Sequence, residues 1–201
     1  MKELFNTVIK EIQTNALESG VPIMREQSLN ILKSLVAVKQ PKCILEIGTA
    51  VGYSGLNMLN CCPVKTTLVT IEKDKNSYFI AQSNFSKLGY EKQVKLINGD
   101  ALEELPKIKG KFDFIFLDGA KSQYVKSLPY LVKMLNKGGV LVADNVLFMG
   151  MVNGKVPVKK SKSTIVRNLK LYLNELNTTY KEVLSTQLID IEDGLTISVK
   201  K

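Results

Sequence analysis

The sequence predicts an α/β protein built on a mostly parallel sheet with helices on both faces, and three observations predict it. From residue 43 onward, short apolar segments alternate with stretches of helical spacing, the pattern of strand–helix–strand units. Successive apolar segments end at an acid or an acid-bearing turn: Glu46, Glu72, Asp100, Asp118 and Asp144. The last two strand-like segments, residues 181–190 and Leu195–Lys200, flank Glu192-Asp193-Gly194, and Asp-Gly between such runs is a hairpin signal. The final strand is therefore expected to run antiparallel, beside the strand before it.

Each element has its own justification. Residues 1–17 place Phe5, Val8, Ile9 and Ile12 on one helical face. Gly20-Val21-Pro22 breaks that helix, residues 26–38 resume the spacing through Leu29, Leu32, Leu35 and Val36, and Gln40-Pro41 stops it. Cys43–Ile47 is the first strand, and a helix opens over residues 54–59. Residues 67–71 form the second strand, ended by Glu72, and residues 76–88 a helix capped by Gly89. Val94–Asn98 is the third strand, residues 102–108 a short helix, Phe112–Leu117 the fourth strand and residues 124–135 a helix. Gly138-Gly139 reads as a turn into a fifth strand, residues 140–143. The hairpin completes seven strands. No repeat or Pro-rich linker marks a boundary, so the 201 residues are expected to form one domain, with the helices of residues 1–40 covering the site.

Composition narrows the chemistry. Histidine is absent, which removes the usual general base and the commonest transition-metal ligand. A base must come from Asp, Glu, Lys, Tyr or Cys, and a metal site must be oxygen-rich, which favours magnesium or calcium. Cys43, Cys61 and Cys62 form neither a metal-ligand spacing nor an even disulfide set. Cys43 reads as a small apolar residue of a buried strand, and Cys61-Cys62 as free thiols at a helix end. No apolar run is long enough to span a bilayer, and residues 1–15 read as an amphipathic helix rather than a signal peptide. Cytoplasm and no membrane partner are the expectation. The 28 basic residues exceed the 19 acidic ones by 9, and all but Arg25 and Arg167 are lysine. That balance favours an anionic partner, nucleic acid first, although a general lysine bias would leave the same charge.

The strand ends carry the chemistry. In open parallel sheets, ligands bind at the carboxyl ends of the strands. After Glu46, the glycines Gly48, Gly52 and Gly55 frame a turn that can bring bare backbone and a helix N-terminus to a ligand. Glu72 follows Gly48 by 24 residues, a distance suited to hydrogen bonding ribose hydroxyls. The spacing G-x-x-x-G-x-x-G is not that of a dinucleotide turn, so the pattern suits an adenosyl ligand without pyrophosphate, with Asp100-Ala101 at the adenine edge. Asp118, Asp144 and Asn145 supply two carboxylates and an amide oxygen, half of an octahedral oxygen site. Lys121, three residues after Asp118, points a cation at the same mouth; it could stabilise an oxyanion or take its proton. All five acids could instead serve as helix caps, and Lys121 could be one more solvated lysine.

At these residues the sequence resembles the metal-dependent class I O-methyltransferases, the group that includes catechol and caffeoyl-CoA O-methyltransferases. The matching stretches are LEIGTAVGYS at 45–54, residues 68–74 and 97–102, FIFLDGAK at 114–121 and GGVLVADNV at 138–146. The resemblance implies a Rossmann-like methyltransferase fold. It implies that Glu46, Gly48, Thr49, Tyr53, Ser54 and Glu72, with Met24, Lys73, Asp100, Ala101 and Asp118, contact S-adenosylmethionine. It implies further that Asp118, Asp144 and Asn145 hold magnesium or a similar divalent cation, that Asp118 and Lys121 are catalytic, and that the protein is a homodimer.

Within that group, DGAKSQY at 118–124, DNVLFMG at 144–150 and DGLTIS at 193–198 look most like the bacterial tRNA 5-hydroxyuridine methyltransferases, which act on the wobble uridine of the anticodon. Charge supports this: residues 146–174 hold Lys155, Lys159, Lys160, Lys162, Arg167 and Lys170 and no acid. Such residues could contact tRNA phosphates, with Phe148 stacking on the target base between Met149 and Met151, or they could form a solvated loop. The expectation is thus methylation of tRNA 5-hydroxyuridine, with a small catechol-like acceptor as the alternative and a non-catalytic RNA-binding protein of the same fold as a third.

Overall fold

The computed structural model describes residues 2–201, so Met1, the first residue of the predicted leading helix, lies outside the described residues. The chain forms two compact units that meet in sequence at Ala101 and Leu102.

The first unit runs α1 (Lys2–Glu18), α2 (Glu26–Lys39), β1 (Cys43–Ile47), α3 (Tyr53–Asn60), β2 (Thr67–Glu72), α4 (Lys75–Lys87) and β3 (Val94–Asn98). Its strands lie in the order β3-β2-β1, all parallel, with Ile47 opposite Ile71 and Ile71 opposite Ile97. Helix α1 buries Phe5, Val8, Ile12 and Ala16 and packs on α3 and α4; Ile9 is half-buried. Helix α2 ends where Gln40 turns left-handed at φ 47°, ahead of Pro41. Asp74 caps α4 by accepting the Ser77 N–H at 2.7 Å, and Gly89 leaves the helix at φ 74°. In β1, Ile44, Leu45 and Glu46 are all fully buried, so this strand is covered on both faces. Cys43 is only half-buried, a correction to its reading as a buried residue.

The second unit opens within α5 (Ala101–Glu104), which passes into a 3₁₀ turn at Leu105–Lys107. Pro106 supplies no backbone donor, so the single helix expected over residues 102–108 breaks in two. Then follow β4 (Phe112–Leu117), a 3₁₀ turn (Lys121–Gln123), α6 (Tyr124–Met134), β5 (Leu135–Ala143), a 3₁₀ turn (Lys160–Lys162), α7 (Ser163–Asn177), β6 (Leu184–Ile189) and β7 (Leu195–Lys200). The order here is β4-β5-β7-β6. Strand β5 is parallel to β4, and β7 is antiparallel to both β5 and β6. The hairpin forms as expected, with the last strand inserted beside β5.

Two expectations change. Strand β5 begins at Leu135, not Val140: pairing jumps from Phe112↔Leu135 to Phe114↔Val140, so residues 136–139 bulge around Gly138 at φ 69°. The basic stretch is not a loop throughout. Its second half is α7, which buries Val166, Leu169, Tyr172 and Leu176 at helical spacing and turns Arg167 and Lys170 outward. No helix among the described residues is long and apolar enough to cross a membrane.

Candidate active site

In the first unit, the turn between β1 and α3 is held by the end of β2. Gly48 and Thr49 both donate their N–H to the Ile71 carbonyl, at 3.0 and 3.2 Å. Gly48, Ala50 and Gly52 take φ of 96°, 46° and 85°. Glycine adopts such angles freely and alanine does not. Ala50 is kept there by its N–H, which donates to Glu72 Oε2 at 2.7 Å. Glu72 Oε1 accepts the Asp74 N–H at 2.7 Å. Glu72 therefore braces the backbone with both oxygens and keeps lone pairs for ligand hydroxyls.

Glu46 sits near the end of β1, where the sequence places it, and is buried. It is 0% exposed, accepting Ser54 Oγ at 2.6 Å and Thr70 Oγ1 at 2.7 Å. The single Thr70 hydroxyl hydrogen goes to this carboxylate, so Thr49 Oγ1 is the donor across its 2.5 Å contact with Thr70. Glu46 thus orients Ser54, which is 7% exposed, and Thr70. The third glycine is also explained by packing. A Cβ on Gly55 would come within 3.0 Å of Glu46 Oε2 and 3.1 Å of the Phe85 ring. Glu46→Ala removes the acceptor of two buried hydroxyls and is expected to lower unfolding free energy by about 3 kcal/mol. Urea denaturation measures this, and a change below roughly 0.5 kcal/mol would show that water replaces the carboxylate.

The remaining residues of this cluster are distributed around the turn. Tyr53 opens α3 and is buried; burial, then the Glu26 charge, pushes its hydroxyl pKa up. Asp100 accepts Lys73 Nζ at 2.9 Å, with side chains 15% and 76% exposed, so the carboxylate is the sheltered partner. Met24 is buried and Ala101 half-buried. Cys61 and Cys62 are free, and burial pushes both thiols up, Cys62 to about 11, which leaves them poor nucleophiles.

In the second unit, Asp118 follows β4 and Asp144 follows β5, two parallel neighbours whose ends align at Leu117↔Ala143. Lys121 Nζ donates to Asp118 Oδ1 at 2.6 Å, with side chains 16% and 22% exposed, and lies 5.7 Å from the centre of the Tyr124 ring. Asp144 is 3% exposed, and the Asn145 N–H donates to its Oδ1 at 2.7 Å. Burial, then the Asp118 charge, pushes the Asp144 carboxyl up to about 7. Asn145 is left-handed at φ 55° and half-buried. Among the described residues no cluster of three or more Cys, Asp or Glu side chains forms a ready cation cage. The donor set of two mutually repelling carboxylates and one amide oxygen still fits a hard cation that keeps several waters.

Sequence reasoning missed several residues here. Tyr124 is fully buried, with its hydroxyl 3.0 Å from both the Leu117 and Asp144 carbonyls. Asp193 and Gly194, read as a hairpin turn and as part of the stretch at 193–198, also brace the loop after β5: their carbonyls accept the Leu147 and Val146 N–H groups at 2.8 and 3.0 Å. A Cβ on Gly194 would overlap Leu147, so no larger residue fits.

The basic segment divides. Lys155 pairs with Asp190 at 2.6 Å, both side chains being exposed. Met151 is 2% exposed and cannot flank a base, whereas Phe148 is half-buried and Met149 56% exposed. Lys159, Lys160, Lys162, Arg167 and Lys170 make no ion pair among the described residues. Arg167 and Lys170 line a groove of about 500 Å³ with Val158, Ser163, Val166, Leu171 and Asn174.

Comparison with known proteins gives a consistent result. The sequence model of the O-methyltransferase family matches residues 1–201. The catechol O-methyltransferase of Niastella koreensis is 30% identical over 94% of this chain and 88% of its own length. The caffeoyl-CoA O-methyltransferase of Populus kitakamiensis is 28% identical over 89% and 77%. Among solved structures, a Staphylococcus aureus protein provisionally named a caffeoyl-CoA O-methyltransferase superposes with a TM-score of 0.88, at 31% identity, over 96% of this chain and 92% of that one. A Bacillus cereus O-methyltransferase solved in complex with SAH shares the fold, with a TM-score of 0.86 at 23% identity over 97% and 91%. The fold is thus the Rossmann-like α/β fold of methyltransferases, with seven mostly parallel strands, an antiparallel C-terminal strand and surrounding helices.

Proposed function

The chain belongs to the O-methyltransferase family, and from that premise we propose that it transfers the methyl group of S-adenosylmethionine to one hydroxyl of a small vicinal diol of the catechol type. The observation that carries this is the cluster of Asp118, Lys121 and Asp144 at the ends of β4 and β5. Two neighbouring hydroxyls suit such a site, because both can reach one hard cation or its lysine neighbour. The names of the relatives support a small-molecule acceptor over the tRNA acceptor that the sequence puts first.

S-adenosylmethionine, when bound, supplies an electrophilic methyl on sulfonium. The first unit's residues hold it: Glu72 offers free lone pairs to ribose hydroxyls, Ser54 is oriented by Glu46, and Asp100 is sheltered beside Ala101. A magnesium ion held by Asp118, Asp144 and Asn145 would supply positive charge and Lewis acidity to the acceptor. Lys121 places an ammonium beside the same acids and stabilises negative charge on the acceptor oxygen as the hydroxyl proton passes to water. The oxygen–carbon bond forms as the carbon–sulfur bond breaks, and orientation of the two reactants supplies much of the rate.

A second reading keeps 5-hydroxyuridine of tRNA as the acceptor, and one observation favours it: the five cations from Lys159 to Lys170, two of which line the α7 groove, make no ion pair among the described residues. One experiment separates the readings. The protein is incubated with labelled S-adenosylmethionine and, in separate arms, catechols, caffeoyl-CoA and tRNA carrying 5-hydroxyuridine. Label is expected in the small diols. Label in tRNA alone overturns the proposal; in that case neutralising Lys159, Lys160 and Lys162 should flatten the salt dependence of binding by about one unit of log–log slope per lost contact. Transfer to nothing, with RNA binding retained, identifies a non-catalytic RNA-binding protein.

A further inference from the structure

Tyr124 occupies a position that the chemistry above does not use. It is the first residue of α6, and none of its side chain reaches solvent. Its hydroxyl lies 3.0 Å from the Leu117 carbonyl and 3.0 Å from the Asp144 carbonyl. Leu117 immediately precedes Asp118, so one hydroxyl hydrogen is shared between the backbones that carry the two acids. Lys121 Nζ lies over the Tyr124 ring, 5.7 Å from its centre, and donates to Asp118 Oδ1 at 2.6 Å.

The tyrosine is itself held from behind. Its ring meets that of Tyr172, on α7, edge-on at 5.5 Å and 71°. The Tyr172 hydroxyl lies 3.3 Å from Thr196 Oγ1 on β7, and Thr196 sits opposite Ala143, the residue before Asp144. Both tyrosines and Thr196 are fully buried. Both partners of the Tyr124 hydroxyl are carbonyl oxygens, which only accept, so the hydroxyl is the donor in each contact. Tyr124 is therefore a donor aimed at backbone rather than at a ligand.

We propose that Tyr124 is a positioning residue for methyl transfer: its hydroxyl ties the strand ends bearing Asp118 and Asp144, its ring fixes the Lys121 ammonium, and Tyr172 with Thr196 keeps it in place. The proposal rests on the reading of Asp118, Lys121 and Asp144 as the acceptor end of the site. Acids that repel each other drift apart unless their backbones are held, and supporting contacts of this kind typically change metal affinity or activity by about 10–100-fold.

Tyr124→Phe removes only the hydroxyl, while Tyr124→Leu also removes the ring. Each variant is compared with wild type by thermal unfolding, by calorimetric titration of the cofactor-free protein with magnesium, and by kcat and KM on the best acceptor. Tyr124→Phe is expected to stay folded, with magnesium affinity and kcat each lowered about tenfold and KM for S-adenosylmethionine unchanged. Tyr124→Leu should lower kcat further by freeing Lys121. Lowered thermal stability with kcat and magnesium affinity both within twofold of wild type would overturn the proposal, because that is what a merely structural tyrosine does. Should wild type bind no magnesium and turn over fully in chelator, the metal reading fails, and kcat of Tyr124→Phe alone then decides the inference.

Discussion

Asp144→Asn is expected to lower kcat by roughly 10³-fold or more while leaving the fold intact. The substitution keeps the side chain's size and its acceptor for the Asn145 N–H, now 2.7 Å from Oδ1. What it removes is charge from a residue 3% exposed, whose carboxyl is pushed up to about 7 by burial and then by the Asp118 charge. A buried carboxylate beside another acid costs folding energy and is kept for what it binds. Activity and stability should therefore move in opposite directions: turnover is lost, and the thermal midpoint of the cation-free protein is unchanged or higher. Initial rates over a magnesium series, paired with melting curves in chelator, test both halves. Wild-type turnover at full rate in chelator, or an active Asp144→Asn enzyme, would remove the oxygen site from the mechanism.

Lys121→Met is expected to lower kcat by about 10²–10³-fold with little change in KM for S-adenosylmethionine. Methionine keeps the length and apolar stem of lysine and loses only the ammonium. In the folded protein that ammonium is not a free surface charge: 16% of the side chain is exposed, and its nitrogen lies 2.6 Å from Asp118 and 5.7 Å from the Tyr124 ring. A solvated lysine among 28 basic residues would be replaced at no kinetic cost. Steady-state kinetics on the methylated acceptor distinguish these outcomes, and kcat within twofold of wild type would return Lys121 to the solvated class. Lys121→Arg adds a finer reading. Arginine keeps the charge but spreads it over a planar fork, so partial recovery marks an electrostatic role and none marks a requirement for the amine itself.

These effects trace to residues whose visibility in sequence differs. Strands β1, β3, β4 and β7 have the bounds that the residues predict, because each is a short apolar run closed by a glycine, an acid or a turn. The acids at their ends were legible for the same reason: a strand's last residues and the turn after it are local facts. Strand β5 was half hidden, since Gly138-Gly139 signals a turn locally and only pairing with β4 shows a bulge inside one strand. Helix α7 was readable in principle from Val166, Leu169, Tyr172 and Leu176, but five cations around it drew the reading toward a loop.

The sequence by itself determined the alternation of strands and helices, the antiparallel hairpin and the identity of the acids and the lysine, because these depend on spacing and side-chain type. Only the tertiary structure decided what each acid faces. Glu46 and Glu72 both end strands, yet one is sealed beneath Ser54 and Thr70 while the other braces Ala50 and Asp74 from the surface side of the turn. Tyr124 reads as an ordinary core aromatic until Leu117 and Asp144, 7 and 20 residues away, bring their carbonyls to its hydroxyl. Burial and hydrogen bonding between distant segments set desolvation and charge coupling, and no local pattern encodes either.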